Sequence, residues 1–239
     1  MTDTSAVRAA ADLWHHYGRG RAGTDRGVPG GFAWTWGQDC GPGAELLGGD
    51  LGGLTIGDLG SGSGRHAAHL VVHHRPARVD AVDASPAQCA MAEDLYGFLA
   101  PRLRLVRSEA VGHLLGHPGA YDVLYSVFGS LDFTDPAELL PAAASALRPG
   151  GLLVASTLGH YLGGAPAEAD VVPADIPART PGGAAATMRR WVLQEQVWAK
   201  ALDAAGFSAV STERVAPAVP GAAARRPCWC VLCADPERS

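Results

Sequence analysis

Gly60, Gly62 and Gly64 stand at every second position after the run Ile56-Gly57-Asp58-Leu59, with Asp58 just before them and a helix-forming stretch just after. Glycines at a strand-to-helix junction permit backbone conformations and close approaches that side chains block, so a nucleotide-like ligand can lie against the main chain there. A dinucleotide loop, G-x-G-x-x-G, requires glycine at position 65, where this chain has Arg65. Acid–base chemistry has candidates elsewhere. His16 and Tyr17 stand near the N-terminus, His160 follows an apolar run, and Glu195 interrupts the apolar stripe Met188, Trp191, Trp198, Leu202. A carboxylate on such a stripe is costly to bury alone, so Glu195 either pairs with an arginine or faces a pocket, as a base or as an anchor for a substrate N–H.

The five cysteines do not add a metal centre. Cys228, Cys230 and Cys233 crowd together, but neither Cys40 nor Cys89 forms a second paired knuckle, and a metal site needs about four suitable ligands. Reduced thiols buried on a terminal strand are the expectation.

These residues need a scaffold, and its pattern is an alternation of short apolar runs with helical segments, as in a parallel sheet covered on both faces. Leu54–Leu59, Arg78–Asp83, Leu103–Arg107, Tyr121–Val127 and Leu152–Leu158 read as five strands. Helices are expected over Arg65–His73, from a Ser85 cap with Pro86 in the first turn and Gln88 completing a capping box to about Leu99, and after Asp135-Pro136-Ala137-Glu138. The last of these presents Leu139, Ala143 and Leu147 on one face and stops at Arg148-Pro149-Gly150-Gly151. Gly159–Ala186 has no steady periodicity and is long for a plain connection, which suggests a lid or flexible insert. Met188, Trp191, Glu195, Trp198, Leu202 and Ala205 then recur at helical spacing, and Phe207–Val215 with Cys228–Ala234 read as a closing antiparallel pair.

Size and charge bound the function. At 239 residues, 47% of them hydrophobic, the chain can bury one substantial core, and a single domain over 1–239 is expected. Within it, 1–50 reads as an N-terminal helical and aromatic cap, 51–158 as a cofactor-binding core, 159–186 as a lid-like insert, and 187–239 as the final helix and β-hairpin. A net charge of −5 without basic runs argues against nucleic acid as a partner. No stretch approaches the roughly 20 apolar residues of a membrane span, and Met1–Ala11 lacks the apolar core of a secretory signal. The expectation is a soluble, cytoplasmic monomer or homodimer acting on a small molecule.

The pattern Asp58-x-Gly60-x-Gly62-x-Gly64 resembles the first motif of class I S-adenosylmethionine-dependent methyltransferases of the small-molecule, natural-product-tailoring type, and the resemblance runs to roughly the C-terminus. The Pro149-Gly150-Gly151 turn before the fifth strand is another frequent feature of that family. The resemblance implies an α/β, Rossmann-like doubly wound sheet of seven strands in the order 3-2-1-4-5-7-6, the last antiparallel, and S-adenosyl-L-methionine as cofactor. It gives the backbone of Gly60, Ser61 and Gly62 the methionine end, Asp58 the orientation of that loop, and Asp83 the ribose hydroxyls. Ala84 leaves room at the adenine edge, Glu109 and Ala110 lie near the adenine amino group, and Ser126, Val127 and Phe128 lie beside the sulfonium. A nicotinamide-dependent Rossmann oxidoreductase and a non-catalytic cofactor-binding relative are the alternatives.

For the acceptor, Ser126-Val127-Phe128-Gly129 is not the Asn/Asp-Pro-Pro-aromatic signature of enzymes that methylate DNA bases or protein glutamine. No metal-dependent catechol motif occurs, which leaves an O, N or C atom of a metabolite. Trp14, His15, His16, Tyr17, Phe32, Trp34 and Trp36 concentrate aromatics ahead of the core, and such an extension in this family often forms one wall of the acceptor pocket. Aromatic walls suit a flat, largely apolar acceptor of aromatic or indole-like type. Tyr17, Trp34, Trp36, Phe128, Tyr161, Trp191 and Glu195 are therefore substrate-binding candidates, with Tyr17, His16, Glu195 and His160 as candidates for catalysis.

Overall fold

The computed structural model describes residues 13–19, 26–36, 41–215 and 228–236. Its frame is a seven-stranded sheet, and alternation along each strand decides which side chains enter which half of the core. The strands are β1 (Thr55–Leu59), β2 (Arg78–Asp83), β3 (Leu103–Arg107), β4 (Tyr121–Val127), β5 (Leu147–Leu158), β8 (Phe207–Val215) and β9 (Cys228–Pro236). They lie in the order β3-β2-β1-β4-β5-β9-β8. The first five are parallel, and β9 runs antiparallel to both of its neighbours. The expected doubly wound sheet and its reversal at the last strand are both present.

On β4, Leu124 faces one core layer while Val123 and Tyr125 face the other; on β5, Leu153 and Ala155 divide from Val154 in the same way. One layer receives α3 (Ala110–Leu115), α5 (Pro136–Ala146) and α6 (Glu195–Ala204), the other α1 (Arg65–His73) with Phe32, Trp34 and Leu47. Helix α2 (Pro86–Tyr96) follows β2, and α4 (Ser130–Phe133) is a single turn after β4. Ser85 caps α2, its Oγ accepting from the Gln88 N–H at 3.3 Å, and Pro86 lies in the first turn. Asp135 caps α5 in the same manner through the Ala137 N–H at 2.9 Å.

Three expectations change. The stripe from Met188 to Ala205 is not one helix: Ala185–Arg190 is strand β7, paired antiparallel with β6 (Ala174–Arg179), and the helix begins only at Glu195. Side chains along β7 alternate between solvent and interior up to buried Arg190, a period of two that the three-to-four spacing of the large residues concealed. The Gly159–Ala186 insert consequently contains most of a β-hairpin. β5 also starts earlier than Leu152, at Leu147 opposite Tyr121, with a register shift before the regular ladder resumes at Leu152↔Val123.

Of the N-terminal helical cap, the described residues form turns around 13–18 and the 3-10 turn Ala44–Leu47. Residues 26–36 run without helix, and residues 1–12, 20–25 and 37–40, with Cys40 among them, lie outside the described residues, as do the side chains of Cys228, Cys230 and Cys233. Cys89 is a free thiol whose Sγ lies 3.4 Å from the Asp83 carbonyl.

Candidate active site

The glycine loop needs its glycines for two reasons. Gly60, Gly62 and Gly64 have φ of +77°, +55° and +76°, in the left-handed region. Gly60 also crosses the chain leaving β4 so closely that a Cβ on it would lie 2.4 Å from the Ser130 nitrogen and 2.8 Å from the Gly129 Cα. The loop's donors are already engaged: Gly60 and Ser61 N–H both donate to the Val82 carbonyl, at 2.9 and 3.1 Å, and Gly62 N–H donates to Asp83 Oδ2 at 2.8 Å. Those three N–H groups are therefore not free to bind a pyrophosphate, the use a dinucleotide loop makes of such a junction.

A cavity of about 450 Å³ opens at the carboxyl ends of β1, β2 and β4. At one end stand Asp58, the glycine loop, Asp83, Ala84 and Glu109. Asp58 is buried and receives the Tyr125 hydroxyl at 2.8 Å; burial raises its carboxyl to about 7, with the Tyr125 bond opposing and the Asp83 charge adding. Asp83 accepts from Gly62 N–H on one oxygen and from Ser85 N–H on the other, both at 2.8 Å, yet burial still raises it to about 6. Each Asp83 oxygen retains a lone pair for a ligand hydroxyl. Glu109 precedes α3 as its N-cap without capping it, and partial burial raises its carboxyl.

The other end is aromatic. Val127 and Phe128 end β4, and Phe128 holds a left-handed φ of +49°, uncommon for a residue with a side chain. Trp36 meets Phe128 edge-on at 5.0 Å, and Trp14 meets Phe133 edge-on at 4.5 Å; these four rings and Tyr17 line the cavity. The N-terminal turn is fixed by Gln88, whose side-chain amide donates to the carbonyls of Trp14 (2.9 Å) and Tyr17 (3.0 Å). The capping box expected of Gln88 is thus half present: its N–H meets Ser85, while its side chain is spent on the N-terminal segment.

Several candidates stand off the cavity. Trp34 is wholly buried, its Nε1 donating to the Gly43 carbonyl at 2.8 Å, and Trp191 packs in the core against α4 and α6, because large rings between sheet and helix bury more area than at a wall. Glu195 sits in the first turn of α6 and accepts from the Thr212 hydroxyl; it does not line the cavity, and among the described residues it pairs with no arginine. His16 is exposed and lies 3.0 Å from the Thr180 carbonyl through Nε2. His160 turns its Nδ1 to the Tyr161 carbonyl, and Tyr161 donates to Glu168 at 3.2 Å. Ser126 is buried, donating to the Leu59 carbonyl at 2.8 Å, so it ties β4 to β1; Ala110 is buried at the start of α3. Arg65, His66, Gln88, Ser130, Phe133 and Thr134 line the cavity without having been singled out for it. For Arg65 and His66 the signal was their position directly after the glycines. No group of three or more His, Cys, Asp or Glu side chains could hold a metal among the described residues.

The donors and acceptors present fit S-adenosylmethionine. Asp83 offers acceptors for a ribose diol, Asp58 a carboxylate for an ammonium, and the Phe128 ring a face for a sulfonium.

Residues 56–151 match the family model described as a methyltransferase domain. No curated protein matches the chain in sequence. Among solved structures, a putative S-adenosylmethionine-dependent methyltransferase from Listeria monocytogenes aligns over 81% of this chain and 97% of its own, at 18% identity and a TM-score of 0.63. The 1,6-didemethyltoxoflavin-N1-methyltransferase of Burkholderia thailandensis aligns over 78% and 72%, at 19% identity and a TM-score of 0.51. The cyclase SpnF aligns over 82% and 78%, at 20% identity and a TM-score of 0.60. Residues 56–151 thus match a methyltransferase-domain model, and the chain around them carries the fold of the class I S-adenosylmethionine-dependent methyltransferases.

Proposed function

We propose that the protein transfers a methyl group from S-adenosylmethionine to an O, N or C atom of a small, flat, largely apolar metabolite. One observation carries this reading: a single cavity is lined both by Asp58, Asp83, Glu109 and the glycine loop, suited to the cofactor, and by the five aromatic rings of Trp14, Tyr17, Trp36, Phe128 and Phe133. The cofactor supplies an electrophilic methyl group on a sulfonium. The chain's own contribution is position: Asp83 and Asp58 fix the two ends of the cofactor, and the rings hold the acceptor in line and exclude water.

Of the four acid–base candidates only Tyr17 lines the cavity; its hydroxyl can hydrogen-bond the acceptor, and an acceptor proton, where there is one, passes to water. The N-terminal turn held by Gln88, whose Trp14, Tyr17 and Gly18 line the cavity, serves as its cover, and His16 ties that turn to the β6–β7 hairpin through the Thr180 carbonyl.

The test is to titrate purified protein with S-adenosylhomocysteine and, separately, with NAD. It is then incubated with S-adenosylmethionine and a panel of phenols, indoles and nitrogen heterocycles, following S-adenosylhomocysteine by mass spectrometry. Binding of S-adenosylhomocysteine and its accumulation with at least one flat acceptor are expected. Binding of NAD alone would favour the oxidoreductase alternative, and cofactor binding without turnover on any acceptor would favour a non-catalytic relative.

A further inference from the structure

The aromatic wall is continuous only because a cation joins it. Tyr17 meets Trp14 at 5.5 Å, Trp14 meets Phe133 at 4.5 Å, and Trp36 meets Phe128 at 5.0 Å. Between Phe133 and Trp36 no ring contact exists; instead the guanidinium carbon of Arg190 lies over both rings, 5.0 Å from one centroid and 5.3 Å from the other. Arg190 ends β7 with 3% of its surface exposed, and it does not itself line the cavity.

Its partner fixes it there. Asp132, in α4 beside Phe133, is fully buried and pairs with Arg190 Nη2, while the Asp132 carbonyl accepts from the Trp191 N–H at 2.7 Å. Arg190 Nε and Asp132 Oδ1 have no hydrogen-bond partner, so the pair is incompletely satisfied and is costly to keep buried. Hydrophobic residues of similar volume would fill the same space without that cost. A cation behind two ring faces changes what those rings accept on the other side. Their π density is already engaged, and a second cation laid on the cavity side meets like charge instead of an open quadrupole.

Resting on the flat-acceptor reading above, we infer that Arg190, positioned by Asp132, is a specificity-determining residue that favours neutral or anionic flat acceptors and rejects cationic ones. It acts through Trp36 and Phe133 and touches no substrate.

The experiment uses the full chain saturated with S-adenosylhomocysteine, which has no sulfonium charge of its own. Three probes of similar size on one flat ring system are titrated calorimetrically: 2-naphthol, 2-naphthoate and (2-naphthyl)methylammonium. The naphthol and the naphthoate should bind about tenfold or more tighter than the ammonium, a gap of about 1.4 kcal/mol. The double variant R190M/D132N removes both buried charges together and should bring the three probes within about threefold of each other, with affinity for S-adenosylhomocysteine unchanged. R190Q, which removes the charge and keeps a polar side chain beside Asp132, is the second variant should the double variant fail to fold, and it should likewise narrow the gap to within about threefold. Equal or tighter binding of the ammonium by the unaltered protein, or a preference unchanged in both variants, overturns the inference alone. Binding of S-adenosylhomocysteine with none of the three probes overturns the flat-acceptor reading, and the inference with it.

Discussion

Gly60 and Gly129 meet backbone to backbone: a Cβ on Gly60 would lie 2.8 Å from the Gly129 Cα, and a Cβ on Gly129 would lie 2.7 Å from the Gly60 oxygen and 2.5 Å from the Leu59 oxygen. The two loops that bracket the cofactor end are thereby pressed together with no space for a methyl group. G129A should destabilise the fold by about 2–4 kcal/mol in urea unfolding and weaken S-adenosylhomocysteine binding, because the β1 and β4 loops must part. Wild-type stability in that variant would contradict the packing described.

Gln88 is buried and holds the N-terminal turn through two bonds to carbonyls. Q88L removes both donors at similar volume. Release of the turn should cost about 1–3 kcal/mol locally, visible as faster proteolysis near residues 13–19 with little change in global unfolding.

Asp58 and Asp83 give the protein a signed pH dependence. Both carboxyls are raised in the fold, to about 7 and about 6 from an ordinary 3.8, so the stability each contributes is present in full below its unfolded pKa and is lost as pH rises through the folded value. The melting temperature of the ligand-free protein, taken relative to D58N, should fall between about pH 4 and pH 7 and level off above that. Affinity for S-adenosylhomocysteine should rise across about pH 6 to 8, around the folded value of about 7, since the ammonium requires an ionised Asp58. A flat difference between wild type and D58N would remove Asp58 from that role.

Asp80 supplies a control away from the cavity. It is buried under Tyr121, whose hydroxyl donates to it at 2.8 Å and lies 2.6 Å from His113 Nε2, and Arg78 pairs with it at 2.9 Å. Y121F should cost about 1–3 kcal/mol of stability by leaving buried polar atoms unpaired, and should leave S-adenosylhomocysteine affinity within about twofold. A large loss of affinity would mean that the sheet's far end is coupled to the cofactor end.

The parallel half of the sheet was legible because its strands are short apolar runs bounded by glycine, proline and capping residues, and Arg78–Asp83, Leu103–Arg107 and Tyr121–Val127 stand where the pattern put them. That Asp58, Gly60, Gly62, Asp83 and Ala84 line one cavity was legible for the same reason: they sit at strand ends, where a local motif fixes position. The acceptor end was not, because its wall comes from four separated segments whose rings look alike in sequence. Trp34 and Trp36 are two residues apart, yet one fills the core and the other lines the cavity. Arg190 and Asp132 were silent for a further reason: a buried ion pair between distant elements leaves no periodic trace.

The position of β9 bears on how the chain is made. It is synthesised after β8 but lies between β5 and β8, so one side of β5 has no strand to pair with until residues 228–236 emerge. That side belongs to a run rich in Leu, Val and Ala. A nascent chain stalled after β8 therefore presents an open, apolar edge, the kind of surface that recruits other strands. The five parallel strands are thus complete in sequence well before the molecule is safe from self-association.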